Sequence, residues 1–207
     1  MLTGIILIIL MQPAHLYAQK TTFAVSGGYC TAFYFTKSDG SAESDFNNGL
    51  FTGANLRLAM GKHWHFEPGL FFAQKGGVEK VDASVYGSYK SIVKLNYLEV
   101  PVNFVYSKRD YFFFGFGPSV GFALSGKQKL KYDSGKETYK IDFGSSTDDD
   151  LKGVDAGLTL LIGWHWNGLF SLVNINTSFN NISNDRSQYF SNNYMCLGLG
   201  YRFSGKK

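Results

Sequence analysis

From residue 154 the chain reads VDAGLTLLIGWHW, and its apolar side chains recur at every second position. Val154, Ala156, Leu158, Leu160, Ile162, Trp164 and Trp166 share one face, while Asp155, Gly157, Thr159, Leu161, Gly163 and His165 share the other. A period of two is that of a β-strand whose faces meet different surroundings. The same test predicts strands over 23–35, 50–61, 64–75, 92–107, 111–125, 153–166, 169–180 and 194–203. Their connections alternate in length. Short ones lie at Gly61, Lys108 and Asn167-Gly168, and long polar ones at 36–49, 76–91, 127–152 and 182–193. Tight turns on one side and long loops on the other predict an up-and-down barrel with both termini on the short-turn side.

The face opposite the apolar one decides which barrel is built. It is mostly Gly, Ser, Asn, Thr and Tyr: Gly115, Gly117, Ser119, Gly121 and Ala123 on the fifth strand, and Asn174, Asn176 and Ser178 on the seventh. Small residues of this kind fill a crowded interior, which leaves the apolar face turned to lipid. The expected fold class is therefore all-β, an eight-stranded antiparallel up-and-down transmembrane β-barrel. The rival is a soluble lipocalin-like barrel that binds a ligand against inward apolar faces. Charged residues make up only 17% of the chain, with 24 Gly and 4 Pro, a strand-rich composition with an unusually uncharged surface. The net charge of +4 is scattered, with no basic block of the kind that grips nucleic acid.

Residues 1–18 read as a signal peptide, with an apolar run from Ile5 to Met11 and cleavage after Ala18; no Lys or Arg precedes the run. Residues 19–207 then form one barrel domain in the outer membrane of a Gram-negative cell, termini periplasmic. Trp64, Tyr106, Phe112, Trp164, Trp166 and Tyr201 sit near short turns on the apolar face, where an aromatic girdle at the periplasmic interface would place them.

Glu99 interrupts the apolar stretch LNYLEVPVNFVY, and parity turns it into the lumen. Arg57, Glu67, Asp155 and Arg202 fall inside by the same test, with Lys75 nearer the outer end. Charges of both signs in similar number imply a paired structural network plugging the barrel, since an isolated buried charge is costly. A proton or solute path is the sharper reading, but eight strands leave an interior just filled by side chains.

Pairing Phe23 with Phe203 across the closure seam sets Cys30 opposite Cys196. A seam disulfide and two small residues packing inside are both open there. His63, His65 and His165 lie on a turn and on non-adjacent strands without metal-ligand spacing, and no His falls in the long loops to assist a nucleophile. No catalytic, cofactor-binding or metal-binding residues are assigned. Asp148, Asp149 and Asp150 read as a solvated acidic loop, with a divalent-cation site as the alternative. Two hairpin-like stretches, turning at 133–136 and 86–88, would extend strands beyond the membrane. Lys127, Lys129, Lys131 and Lys140 there suit lipopolysaccharide phosphates or acidic glycans, and the ribbon's edge suits a partner strand.

The strings KLNYLEVPVNFVY, FFFGFGPSVGFAL, VDAGLTLLIGW and LGLGYRF resemble the PorT-like outer-membrane β-barrel family of Bacteroidota. Tyr97-Leu98-Glu99-Val100-Pro101 and Gly117-Pro118 are the most specific parts of the likeness. The resemblance implies a barrel similar to the OmpX and OmpA folds. It supplies no catalytic residues, and the family's namesake is associated with type IX secretion. Two functional expectations follow. The first is a non-enzymatic integral outer-membrane protein with a structural or interaction role, contacting surface glycans, lipopolysaccharide or protein partners through its loops. The second is a PorT-like accessory component of type IX secretion or surface assembly.

Overall fold

The computed structural model describes residues 21–37, 42–83, 87–108, 111–132, 134–146, 148–185 and 189–203; the expected signal segment lies outside them. Ten strands are present among these residues: β1 Thr22–Lys37, β2 Ala42–Asp45, β3 Asn47–Ala59, β4 Trp64–Ala83, β5 Gly87–Lys108, β6 Phe112–Tyr132, β7 Gly135–Ile141, β8 Val154–Trp166, β9 Leu169–Ser178 and β10 Tyr189–Phe203. Eight of them, β1, β3, β4, β5, β6, β8, β9 and β10, pair antiparallel in a closed ring. The seam joins β1 to β10 from Phe23↔Phe203 through Lys37↔Tyr189. Closure removes the unpaired edges that an open sheet would expose. The remaining two strands are additions to the ring: β2 pairs with β4, and β7 pairs with β6.

Parity holds through the wall. Outward-facing Leu158, Leu160, Leu199 and Trp166 are more than half exposed, and Ala24, Cys30, Tyr97 and Val105 are fully buried inside. A soluble barrel needs these faces reversed, so the lipocalin-like alternative does not fit. Between β8 and β9, Asn167 and Gly168 take φ of 50° and 88°. Positive φ at both turn positions gives the twist that a two-residue hairpin requires, and Asn-Gly tolerates it best.

The strands are longer than periodicity suggested. β4 and β5 run on as one ladder to Ala83↔Gly87, so the expected long loop over 76–91 is mostly strand; Gly87 and Ser88 of the expected turn belong to β5, and Tyr86 lies outside the described residues. β6 likewise continues to Tyr132, where it meets Gly135 of β7. β10 starts at Tyr189, inside the expected loop over 182–193, and β2 and the start of β3 occupy much of 36–49. Polar, lysine-rich segments fail a test that looks for an apolar face, yet their backbones still pair when a neighbouring strand is available.

Inside, side chains fill the ring at both ends. Ala24, Val105, Phe113 and Phe170 cluster toward the short turns. Leu95, Tyr97, Ile141 and Ile182 cluster at the other end, with Phe143, Leu151 and Phe190 packed over them. The inward glycines make room for this filling. Gly121 lies directly across from Glu99, and a Cβ there would stand 3.1 Å from the Glu99 Oε1 and from the Tyr97 ring.

Candidate functional site

The five lumen charges named from parity are all turned inward, but they form two groups and not one network. Toward the short turns, Arg57 Nε donates to Glu67 Oε1, and Asn55 Nδ2 donates to the other carboxylate oxygen at 2.8 Å. Arg202 approaches the same Glu67 at 3.7 Å and lies 2.8 Å from His165 Nε2. Toward the hairpins, Lys75 Nζ sits 2.5 Å from Glu99 Oε1 and 2.7 Å from Asp155 Oδ2. Tyr194 donates its hydroxyl to Glu99 Oε2 at 2.6 Å, and the Lys75 ammonium lies over the Tyr97 and Tyr194 rings at 4.9 and 5.4 Å. One cation between two anions, capped by a phenol and two aromatic faces, offsets part of the desolvation that burial imposes on each.

Lys75 thus stands at the centre of the second group, not at its margin. The expected strand stopped at residue 75, which hid how far the lumen continues. The partnership of Tyr194 and Tyr97 with these charges is not legible in the sequence, because a tyrosine at an inward position reads as ordinary packing until its partner is known. Uncharged hydrogen bonds fill the space beside both groups. Thr159 donates to Asn103 Oδ1 at 2.5 Å, and Asn176 donates to Ser119 Oγ at 2.7 Å. A cavity of about 50 Å³ remains, lined by Ser26, Asn55, Glu67, Asn103, Asn174 and Arg202 among others. That volume holds a few waters at most and is not a continuous channel.

At the seam Cys30 and Cys196 are register partners joined as a disulfide, in one cluster with Ala32, Phe51, Ala73 and Tyr194. The aromatic residues near the short turns stand on the outer wall. Trp64 meets Tyr106 at 5.4 Å and Phe114 at 6.3 Å; Phe112 is the register partner of Trp164, and Tyr201 packs against Phe203 at 4.9 Å. Trp166 is 73% exposed. Of the histidines, His63 lies against Tyr106, whereas His65 and His165 face inward on β4 and β8.

Beyond the ring, β4, β5 and β6 continue and are joined by β2 and β7, giving a projecting antiparallel sheet of five strands. Asp45 on β2 is held below the ordinary carboxyl range, first by the Phe46 amide and also by Lys80. Lys140 is raised by its hydrogen bond to Asp142, and Tyr139 by its hydrogen bond to Glu137. In the acidic loop, Asp149 accepts from the Ser146 amide and Asp150 from the Asp142 amide, both at 2.9 Å. These carboxylates therefore shape the loop, and among the described residues no group of three or more His, Cys, Asp or Glu is arranged to hold a metal.

No curated protein matches the sequence. Among solved structures the chain is similar to Ail, the attachment invasion locus protein of Yersinia pestis, crystallised with the heparin analogue sucrose octasulfate. The identity is 15% over 89% of this chain and 99% of that one, with a TM-score of 0.45. Neisserial surface protein A is 10% identical over 87% and 97%, with a TM-score of 0.47. The outer membrane protease OmpT of Escherichia coli is 10% identical over 88% and 96%, with a TM-score of 0.36. Matched over residues 17–184 and folded as a closed ring of eight strands, the chain belongs to the outer membrane protein beta-barrel domain family.

Proposed function

We propose that this outer-membrane protein is a non-enzymatic anchor whose barrel holds a projecting β-sheet at the cell surface, where the sheet contacts surface glycans, lipopolysaccharide or protein partners. The observation that carries this reading is the continuation of β4, β5 and β6 past the apolar wall, where β2 and β7 join them. On β6 the outward apolar residues run from Phe112 to Leu124. That is roughly 40 Å of strand, or about 30 Å in height at a tilt of about 40°, enough to cross the hydrocarbon core. Everything after Leu124 on this strand stands clear of the lipid tails. The lumen groups Arg57, Glu67 and Arg202, and Lys75, Glu99 and Asp155, act as structural plugs, and the Cys30–Cys196 bond ties the seam. The aromatic girdle around Trp64, Trp164 and Trp166 supports periplasmic termini, since rings of this kind settle at the headgroup level.

The test is heat-modifiable electrophoretic mobility of the membrane fraction, combined with protease treatment of intact cells. A heat-dependent shift with cleavage between β6 and β8 is the expected result. An unshifted soluble protein, or a loop cleaved only after cell lysis, would overturn the reading. A second reading, a PorT-like accessory component of type IX secretion or surface assembly, rests on the resemblance at 97–101. It is favoured by β7, which pairs with β6 on one side and has its side chains exposed from Gly135 through Lys140. An open edge of this kind accepts a partner strand. Deletion that blocks export of other proteins would favour it; normal secretion with an altered envelope would favour the first reading.

A further inference from the structure

The outward face of β4, β5 and β6 changes chemistry in layers. Leu70 and Phe72, Leu98 and Val100, and Phe122 and Leu124 end the apolar band on the three strands. Next comes a hydrogen-bonded polar row: Gln74 Nε2 donates to Asn96 Oδ1 at 3.2 Å, and Asn96 Nδ2 donates to Ser125 Oγ at 2.9 Å. Beyond it the face becomes cationic. Lys94, Lys127 and Lys140 are register partners across β5, β6 and β7, and Lys80, Lys90, Lys131 and Lys136 are register partners across β4, β5, β6 and β7. Lys129 stands between the two rows.

A β-bulge makes this face. The register slips between Asn96 and Tyr97, so that Tyr97 pairs with Ala123 while Asn96 pairs with Ser125, leaving Leu124 as the extra residue. Without the slip, Lys127, Lys129 and Lys131 would follow Gly121 and Ala123 into the lumen side. With it, eight lysines share the outward face. Asp45 meets Lys80 at 3.5 Å and Asp142 meets Lys140 at 2.8 Å. Among the described residues no carboxylate lies within ion-pair distance of Lys90, Lys94, Lys127, Lys129, Lys131 or Lys136. Like charges directly opposite each other on a sheet are destabilising, so this arrangement calls for an external anion. The four-lysine row spans three strand spacings, roughly 14 Å, which matches a ligand bearing more than one phosphate.

We propose that this face is a lateral binding site for the phosphorylated headgroups of glycolipid in the outer leaflet beside the barrel. Resting on the surface-contact reading above, the assignment names the ligand chemistry of the projecting sheet. The lysines continue the lipid-facing wall, in the order apolar, hydrogen-bonding, cationic, which is the order of a leaflet read from tails to phosphates. The sheet's other face carries Glu79, Leu130, Glu137 and Tyr139 instead. The site is confined to one side, because β8, β9 and β10 contain no lysine.

The experiment folds the full chain into phosphatidylcholine nanodiscs and measures retention of bis-phosphorylated lipid A, dephosphorylated lipid A and a soluble sulfated polysaccharide. The expected result is retention of the phosphorylated lipid alone, weakened about tenfold or more in Lys94→Gln/Lys127→Gln/Lys131→Gln. Lys62→Gln/Lys108→Gln, which removes charge at the opposite end, should leave retention unchanged. Heat-modifiable mobility identifies any variant that fails to fold; single Lys→Gln changes at the same positions then supply the comparison. Equal retention of both lipids, an unaffected triple variant, or binding of the polysaccharide alone would overturn the proposal. Labelling of Lys136→Cys by an impermeant maleimide on intact cells separates the two readings. A labelled residue with no lipid binding leaves the surface reading standing and sinks this one, whereas an unlabelled residue sinks both.

Discussion

Lys75 and Lys90 are the same residue type on neighbouring strands, yet they meet opposite surroundings. Lys75 is 2% exposed and held between Glu99 and Asp155. Lys90 is half-exposed and stands between Lys80 and Lys131, charge against like charge, on the outward face. In the lumen a charge persists only when geometry supplies its counterion, because no solvent is there to do so. Outside, water and salt screen the repulsion, and the arrangement is free to serve an external ligand. On the roles proposed above, burial sorts the two lysines, the one to the plug and the other to the ligand face.

The sharpest way to break this contrast is Lys75→Met. It leaves two carboxylates facing each other without a cation, and removal of one partner from a buried ionic group costs about 3–5 kcal/mol. Urea unfolding of the refolded barrel should register that loss, and Lys75→Met/Glu99→Gln/Asp155→Asn should recover most of it. A single variant within about 1 kcal/mol of the native protein would mean that the group contributes no net stability. Next in size is Cys30→Ala/Cys196→Ala. The two cysteines are 166 residues apart in sequence, and loss of such a tie is expected to lower stability by about 2–4 kcal/mol. Two free thiols in the untreated native protein, counted by alkylation and mass spectrometry, would remove the basis for that expectation.

Tyrosine hydrogen bonds allow the same comparison on a smaller scale. Tyr194 donates to Glu99 inside the barrel at 2.6 Å, and Tyr139 donates to Glu137 on the projecting sheet at 2.5 Å. Tyr194→Phe leaves a buried carboxylate oxygen without a donor and should cost about 1.5–3 kcal/mol. Tyr139→Phe returns both partners to water and should stay within about 0.5 kcal/mol of the native protein. Equal losses in paired unfolding curves would contradict the idea that burial separates the two regions.

Periodicity made the wall legible because an inward or outward position is a local property of a strand. It turns Glu67, Glu99 and Asp155 inward without any knowledge of their partners, and pairing Phe23 with Phe203 at the seam sets Cys30 against Cys196. Which charges meet depends on strands far apart in sequence. Lys75 and Asp155 are 80 residues apart, and Tyr194 and Glu99 are 95 apart. The lysine rows are harder still, since they require three registers and one bulge. Four of the lysines were visible as a charged stretch, but simple parity from Ala123 assigns Lys127, Lys129 and Lys131 to the wrong face.

The smallest effect has the opposite sign from the largest. Lys131 is flanked in register by Lys90 on one strand and Lys136 on the other, so Lys131→Glu replaces two repulsive cross-strand contacts with two attractive ones. Cross-strand charge pairs contribute roughly 0.2–1 kcal/mol, and the variant should be more stable than the native protein by about that amount at low salt. Screening shortens the reach of exposed charges, so the gain should fade as ionic strength approaches about 1 M. Urea midpoints measured at low and high salt test both the sign and the fading. Destabilisation at low salt would show that Lys131 has a structural partner of its own. Stabilisation coupled to loss of phosphorylated lipid would show a lysine kept for binding at some expense to the fold.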